Sequence, residues 1–285
     1  MTTAPTSTIS TASAAGAAST ASAASTASAA GAPVGRFGRL TARGANAARS
    51  PHSPRRGEDE LRALAAAGAA ELGDDAPAEE VVAWAARAFP GSLAVACSMA
   101  DAVLPHVIAA QMPGVDVLFL QTGYHFAETE GTRDAVAETM DVTVIDVLPE
   151  LTIAEQDERY GEALHSRAPS RCCALRKVAP LARALSGYEA WATGVRREDA
   201  VTRVSTPLVG FDETHRIVKI NPLAAWSFDE LLAYASEHGV IVNPLLADGY
   251  PSIGCEPCTA RVAPGEDPRS GRWAGFTKTE CGIHL

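Results

Sequence analysis

An α/β fold, with a mostly parallel twisted sheet and helices on both faces, is what this sequence predicts, and three observations predict it. Short apolar blocks of buried-strand type recur at SLAVACS (92–98), VDVLFLQTG (115–123) and VTVIDVL (142–148). Stretches with helical spacing of apolar residues separate them. After residue 243 the alternation stops and the chain turns rich in loop-forming Gly and Pro. Strands that alternate with helices are the mark of a parallel sheet covered on both faces.

Taken in order, residues 80–89 (EVVAWAARAF) have helical period and are broken by Pro90-Gly91. The strand at 92–98 is followed by a helical ADAVLPHVIAAQM, and the strand at 115–123 by a helical AETEGTRDAVAETM. Behind the third strand come two helical blocks, TIAEQDERYGEAL and CALRKVAPLARALS, then a fourth strand-like block, YEAWATGVR. HRIVKINPL (215–223) alternates in a way that suits an edge strand. Ser227 and Glu230 form a capping box, in which Ser accepts from the third residue's N–H and Glu reaches back. It opens a helix that stops at Gly239. Ligands of such sheets sit at the carboxyl ends of strands. That rule points to three loops: CSMAD (97–101), QTGYHF (121–126) and TGVRRED (193–199).

Three segments are expected. Residues 1–56 form a low-complexity Ala/Ser/Thr leader too poor in large apolar side chains to offset its ordering entropy. Residues 57–254 form the α/β nucleotide-binding domain, and 255–285 a loop-rich, flexible tail. The leader's six arginines leave the remainder of a chain of formal charge −10 near −16. So acidic a domain is a poor partner for nucleic acid, whose backbone rewards clustered Lys and Arg. No run reaches the roughly 18 apolar residues of a membrane span, and no secretory signal order is present. A soluble, cytoplasmic protein is expected.

Without a secretory signal, six cysteines point to metal binding or catalysis before disulfides. Cys172-Cys173 and Cys255-x-x-Cys258 supply the four thiols of one tetrahedral metal site or one iron–sulfur cluster. Adjacent side chains diverge, so both members of the Cys-Cys pair can ligate only if the backbone adapts or the ligand exceeds a single ion. A zinc knot or buried free thiols stay open beside a cluster. Cys281 stands apart, four residues from the end. Any anionic ligand of this acidic domain needs local cations: Lys177, Arg196, Arg197, Arg203, Arg269 and Arg272 are the candidates. Arg269-x-x-Arg272 offers two guanidinium forks suited to sulfate or phosphate oxygens. Ser98 fits a strand-to-helix turn whose N–H groups can hold phosphate.

CCALRKVAPLARAL, TGVRRED, NPLLADGYPSIGCEPCT, PGEDPRSGRW and KTECGIHL together resemble the assimilatory sulfonucleotide reductases, from about Phe89 to the C-terminus. The resemblance implies the adenine-nucleotide α-hydrolase-like fold, akin to the PP-loop ATP pyrophosphatases. The SGGxDS of the latter is missing, which disfavours ATP cleavage. Having both the Cys-Cys pair and the CxxC resembles the branch that uses adenosine 5′-phosphosulfate (APS) and carries a [4Fe-4S] cluster. The branch using the 3′-phosphorylated nucleotide (PAPS) lacks these four cysteines and keeps the terminal one. The resemblance therefore implies that Cys172, Cys173, Cys255 and Cys258 hold the cluster and that Cys281 is the nucleophile. It implies an S-sulfocysteine on Cys281 and a thioredoxin or glutaredoxin-type reductant, and it is compatible with a homo-oligomer, dimer or tetramer. PAPS reduction or dual use is the alternative; a non-redox zinc nucleotide-binding protein is the remoter one. Carried over by motif, Lys177 lies between cluster and substrate and Arg203 holds phosphate or sulfate. LQTG resembles the family's LDTG, with Gln121 in place of the aspartate and Thr122 and Gly123 retained as substrate contacts. The glycines 265, 271, 275 and 282 are expected hinges of the tail.

Overall fold

The structure is a computed structural model that describes residues 55–283. The leader up to residue 54 and the last two residues, His284 and Leu285, lie outside the described residues. A six-stranded sheet has the order β3-β2-β1-β4-β6-β5. Its strands are β1 (Leu93–Ala96), β2 (Val115–Leu120), β3 (Val142–Val147), β4 (Ala190–Thr193), β5 (Val209–Asp212) and β6 (Ile217–Ile220). All pairings are parallel except β5 with β6. In register, Ala94 of β1 lies between Asp116 of β2 and Trp191 of β4.

Nine α-helices surround the sheet among the described residues. They are α1 (Glu58–Leu72), α2 (Ala78–Ala88), α3 (Val103–Ala109), α4 (Ala127–Thr139), α5 (Ile153–Tyr160), α6 (Leu164–Arg167), α7 (Pro169–Cys173), α8 (Ala179–Leu185) and α9 (Phe228–His238). The acidic first turn of α1, Glu58-Asp59-Glu60, meets the positive end of its dipole. Gly68 of α1 packs under the Trp84 ring, where a Cβ would sit 2.2 Å from a ring carbon. The capping box at Ser227 forms as expected, with Gly239 left-handed at the far end of α9. None of the helices is long and apolar enough to cross a membrane.

The core lies on both faces of the central strands, where Val95, Val117, Leu118, Phe119 and Trp191 are fully buried. Each such large side chain contributes about 1.5–3 kcal/mol by leaving water. Three expectations are corrected. Residues 215–223 do not make an edge strand: β6 is interior, with Ile217, Val218 and Ile220 all buried, while β5 forms one edge and the half-buried β3, expected as a buried strand, forms the other. Arg55 and Arg56, assigned to the leader, are tied into the fold. Arg56 donates from Nε and Nη2 to Glu189, at 2.9 and 2.7 Å, and from Nη2 to the Ala88 carbonyl at 2.7 Å.

Candidate active site and cysteine chamber

A cavity of about 320 Å³ opens at the carboxyl ends of β1, β2 and β4, lined there by Ala96, Leu120 and Thr193. Since β1 lies between β2 and β4 in the sheet, this is the switch point where such folds receive ligands. The loop after β1 turns at Met99, a left-handed residue (φ 59°) whose side chain is fully buried. Such a conformation costs about 1–3 kcal/mol, and burial of Met99 together with Asn243 offsets it. Asn243 donates from Nδ2 to the Met99 carbonyl at 3.0 Å and from its backbone to the Ala100 carbonyl at 3.1 Å. Ser98 lies on the cavity wall. At the start of α3 the Asp101 carboxylate accepts the Val103 N–H at 3.0 Å and so occupies one of the N–H groups expected to hold phosphate. Burial pushes the Asp101 carboxyl up, in spite of that bond and of Arg196.

Lys177, Arg196, Arg203, Arg269 and Arg272 all line this cavity, but their availability differs. Arg196 is bound to Asp199, from Nη2 at 2.6 Å and from Nε at 3.1 Å. Arg197 points elsewhere, to Asp75 at 2.8 Å and to the Thr206 carbonyl at 3.0 Å. Arg272 donates to Ser252 Oγ and the Ile253 carbonyl, while its buried Nε has no hydrogen-bond partner. Gly254 makes room for it, since a Cβ there would lie 2.2 Å from Arg272 Nη2. Burial pulls Lys177 down, but electrostatic attraction toward Cys255 and Cys281 more than restores it, so its net shift is upward.

Behind one wall of the cavity lies a narrow chamber lined by Cys172, Cys173, Cys255 and Cys258. Lys177, Arg272 and Trp273 line both spaces and form the partition between them. The Cys-Cys pair ends α7, and a π-helical turn (Ala174–Val178) follows at once. Wider π turns concentrate at functional sites; this one follows the pair, whose own backbone is ordinary α-helix at Cys173. The CxxC loop is held from the other side by the tail: the Trp273 N–H donates to the Cys258 carbonyl at 3.0 Å, and Thr259 pairs with Arg272. All four thiols are free. Burial, then the neighbouring sulfurs, push Cys172 up to about 12, and burial likewise lifts Cys258 to about 11 and raises Cys173. Burial also opposes the Cys255 thiolate, yet Lys177 and the Thr122 hydroxyl, 3.4 Å from the sulfur, bring it below its ordinary value. Anionic sulfur is therefore stable in most of this chamber only beside a compensating cation. Among the described residues no three Cys, His, Asp or Glu side chains converge as ligands of a single ion do. Four thiols around a chamber that Arg176, Lys177 and Arg272 also line are a donor set of the kind that holds an iron–sulfur cluster, whose anionic charge those cations would offset.

Cys281 reaches the first cavity and is half-buried there. The tail carrying it is closed over the site. Ile283 packs against the core, and Lys278 donates to Ser170 Oγ at 3.4 Å. Gly265, Gly275 and Gly282 are left-handed turns, but Gly271 is no hinge: a Cβ there would meet the Ala260 carbonyl at 2.2 Å. Thr122 and Gly123 are not brought into the nucleotide cavity. Thr122 lines the cysteine chamber, and Gly123 (φ 78°) packs against Ile153 and Arg176. The cause is Arg176, buried beneath the loop, which donates to the Thr122 carbonyl and, at 3.1 Å, to Gln156. His125 lies on the cavity wall, and His165 lines the chamber with its ring edge-on to Tyr124. Cys97 is on the cavity wall, its thiol pushed up to about 12 by burial and by Asp101.

Two residues of this site lie inside motifs the sequence singled out but were given no role there. Trp273 is a left-handed residue (φ 49°) in the partition, beneath the Arg272 guanidinium at 4.6 Å. Glu280 accepts from Arg203 and Arg269 inside the cavity.

Residues 92–261 match the phosphoadenosine phosphosulfate reductase domain. The adenosine 5′-phosphosulfate reductase of Mycolicibacterium smegmatis is 57% identical over 228 residues, covering 80% of this chain and 96% of that one. That of Streptomyces coelicolor is 56% identical over 229 residues, covering 80% and 97%. Among solved structures, the phosphoadenylyl-sulfate (PAPS) reductase of Candida auris, in a phosphate complex, has a TM-score of 0.58 at 27% identity. The likeness covers 74% of this chain and all of that one.

Proposed function

The chain belongs to the phosphoadenosine phosphosulfate reductase family, and we propose that it reduces adenosine 5′-phosphosulfate to sulfite and AMP in sulfate assimilation and cysteine biosynthesis. The observation that carries this reading is a half-buried Cys281 thiol sharing one cavity with Lys177, Arg203, Arg269 and Arg272. Relatives above half identity bear the name of the APS enzyme, which favours APS over PAPS as substrate.

Thiolate is the reactive form of cysteine, and nearby cations favour it. Cys281 Sγ attacks the sulfur of the bound anhydride. The S–O bond to phosphate breaks, and AMP leaves with the electron pair. An S-sulfocysteine remains. One thiolate of a thioredoxin or glutaredoxin-type dithiol then attacks Cys281 Sγ, and sulfite leaves with the S–S bonding pair. The second thiol of the reductant resolves the mixed disulfide, returning Cys281 as a thiol and leaving the reductant oxidised by two electrons. Lys177 and Arg272 hold the anionic oxygens during attack, supplying charge stabilisation in a partly enclosed site. Ser98 contacts the nucleotide from the loop after β1.

Cys172, Cys173, Cys255 and Cys258 would hold a [4Fe-4S] cluster, which when bound supplies a structural staple between α7 and the CxxC loop and a local field across the partition. Its electrons are not required by the thiol chemistry above. The reaction belongs in the cytoplasm, and a homo-oligomer is compatible with it.

The test is turnover of the anaerobically purified protein with reduced thioredoxin. Sulfite release from APS at a rate well above that from PAPS is expected, together with a brown chromophore. A strong preference for PAPS overturns the substrate assignment. About one zinc per chain without visible absorbance overturns the cluster.

A further inference from the structure

We propose that Glu280 is the positioning residue of this site: its carboxylate docks the C-terminal segment onto Arg203 and Arg269 and thereby sets Cys281 over the cavity. The proposal rests on the role of Cys281 given above. Glu280 is 7% exposed, although most of the preceding run from 274 to 279 is open to solvent. Arg203 grips it with a fork, from Nε to Oε1 at 2.9 Å and from Nη2 to Oε2 at 2.8 Å. Arg269 adds a bond from Nη2 to Oε2 at 3.2 Å and binds the Thr279 carbonyl at 2.8 Å with the same nitrogen. Thr202 Oγ1 lies 3.4 Å from Oε1. Asp199 accepts the remaining arm of Arg203 at 3.1 Å and fixes its orientation.

An exposed ion pair holds little, because solvent screens it and two long side chains must be ordered. Here the carboxylate is buried, and the planar guanidinium presents its donors pre-arranged. Burial opposes ionisation of Glu280, yet the Arg203 bonds hold its carboxyl below the usual range. Consecutive Cα atoms are about 3.8 Å apart, so fixing Glu280 leaves Cys281 little freedom. Gly275 (φ 86°) and Gly282 (φ 88°) bracket the docked residues with left-handed turns. The segment can therefore leave as a unit once the carboxylate lets go, which transfer to a protein reductant requires. Restricting the thiol in this way lowers the entropy lost on reaching the reacting sulfur.

The test uses the full-length, metal-replete protein under anaerobic conditions, with Glu280→Gln and Glu280→Asp. Without nucleotide, alkylation of Cys281 by iodoacetamide is followed peptide by peptide in the mass spectrometer. Glu280→Gln is expected to accelerate it at least fivefold and Glu280→Asp less than twofold. Arg203→Gln should give the same acceleration, with no further gain in the double variant. With saturating APS, Glu280→Gln should slow modification of Cys281 at least tenfold. The Kd for APS, measured in a Cys281→Ser background, should shift by less than threefold. Unchanged alkylation in Glu280→Gln overturns the proposal. So does a Kd tightened tenfold with the modification rate intact, because Glu280 would then be a stand-in for the substrate anion. If APS never modifies Cys281 in the parent protein, the parent reading has failed, and the alkylation arm still decides the docking role.

Discussion

Gly254→Ala separates the ligand role of Arg272 from its structural role. Gly254 does not have a left-handed φ, so alanine suits its backbone. Removing glycine's freedom from the unfolded chain stabilises a fold by about 0.4–1 kcal/mol at such a position. The new methyl, however, would sit 2.2 Å from Nη2 and 2.5 Å from Cζ of Arg272, well inside contact distance. The guanidinium must swing away from Ser252 and Ile253 and from the edge of the cavity. Losing one charge-assisted hydrogen bond to a bound anion costs about 1.5–3 kcal/mol, which is roughly a tenfold to hundredfold loss of affinity. The loss of Arg272's own bonds offsets the alanine gain, so the net stability change should stay within about 1 kcal/mol, or about 2–4 °C in Tm. Calorimetric titration of APS into the Cys281→Ser background measures the first quantity, and thermal unfolding the second. An affinity within threefold of the parent, with an unchanged Tm, would refute the placement of Arg272 against the substrate anions.

Three further outcomes are expected. Arg56→Ala removes the guanidinium paired with Glu189, whose side chain is 4% exposed, while the backbone N–H of residue 56 and the Ser92 hydroxyl still donate to that carboxylate. Breaking a buried pair costs about 3–5 kcal/mol; with Arg56 partly exposed the lower figure applies, a drop of several degrees in Tm, whereas deleting residues 1–54 should leave Tm within 2 °C. His125 is held below its ordinary pKa by burial, with Lys177 adding to the effect against the Leu120 carbonyl. The folded state then binds fewer protons than the unfolded one. Its contribution is complete above about pH 6.5 and fades as pH falls through the lowered value, with a slope of at most about 1.4 kcal/mol per pH unit. The Tm gap between parent and His125→Gln should therefore shrink from pH 7 to pH 5, and a constant gap would contradict this. Cys281→Ser should abolish sulfite release with the visible spectrum intact, since Cys281 is not among the residues lining the chamber; a bleached spectrum would make it a ligand.

The interior strands were legible because a parallel strand covered on both faces must be a continuous apolar run. That property marked β1, β2 and β4 and the loops behind them; β3 was read as a buried strand too, but it is one edge of the sheet and only half-buried. The same property failed at β6, whose Ile-Val-Lys-Ile reads as alternation. Lys219 lies against the Trp191 ring, 5.1 Å from its centre, while its neighbours are buried. The edge on that side, β5, is a Val-Gly-Phe-Asp segment too short and mixed to announce itself. At the site, residue types chosen for their chemistry converged wherever the chain brings them there directly: Ser98, Lys177, Arg196, Arg203, Arg269, Arg272 and Cys281 share one cavity. Thr122 and Gly123 went astray because a buried arginine in another helical segment turns their loop toward the cysteines. Glu280 stood inside the KTECGIHL motif, but its role was hidden for a different reason: only the approach of the loop around Arg203 gives it one. The π turn after Cys173 had no mark in the sequence.

The most direct test of the account is the covalent state of Cys281. Anaerobic protein mixed with APS, without reductant, and digested for mass spectrometry should carry one sulfonate on the peptide containing Cys281, with AMP released in equal amount. Reduced thioredoxin should remove it as sulfite. AMP release with every cysteine unmodified, or a sulfonate found on Cys97 or on any of the four chamber cysteines, would contradict the account.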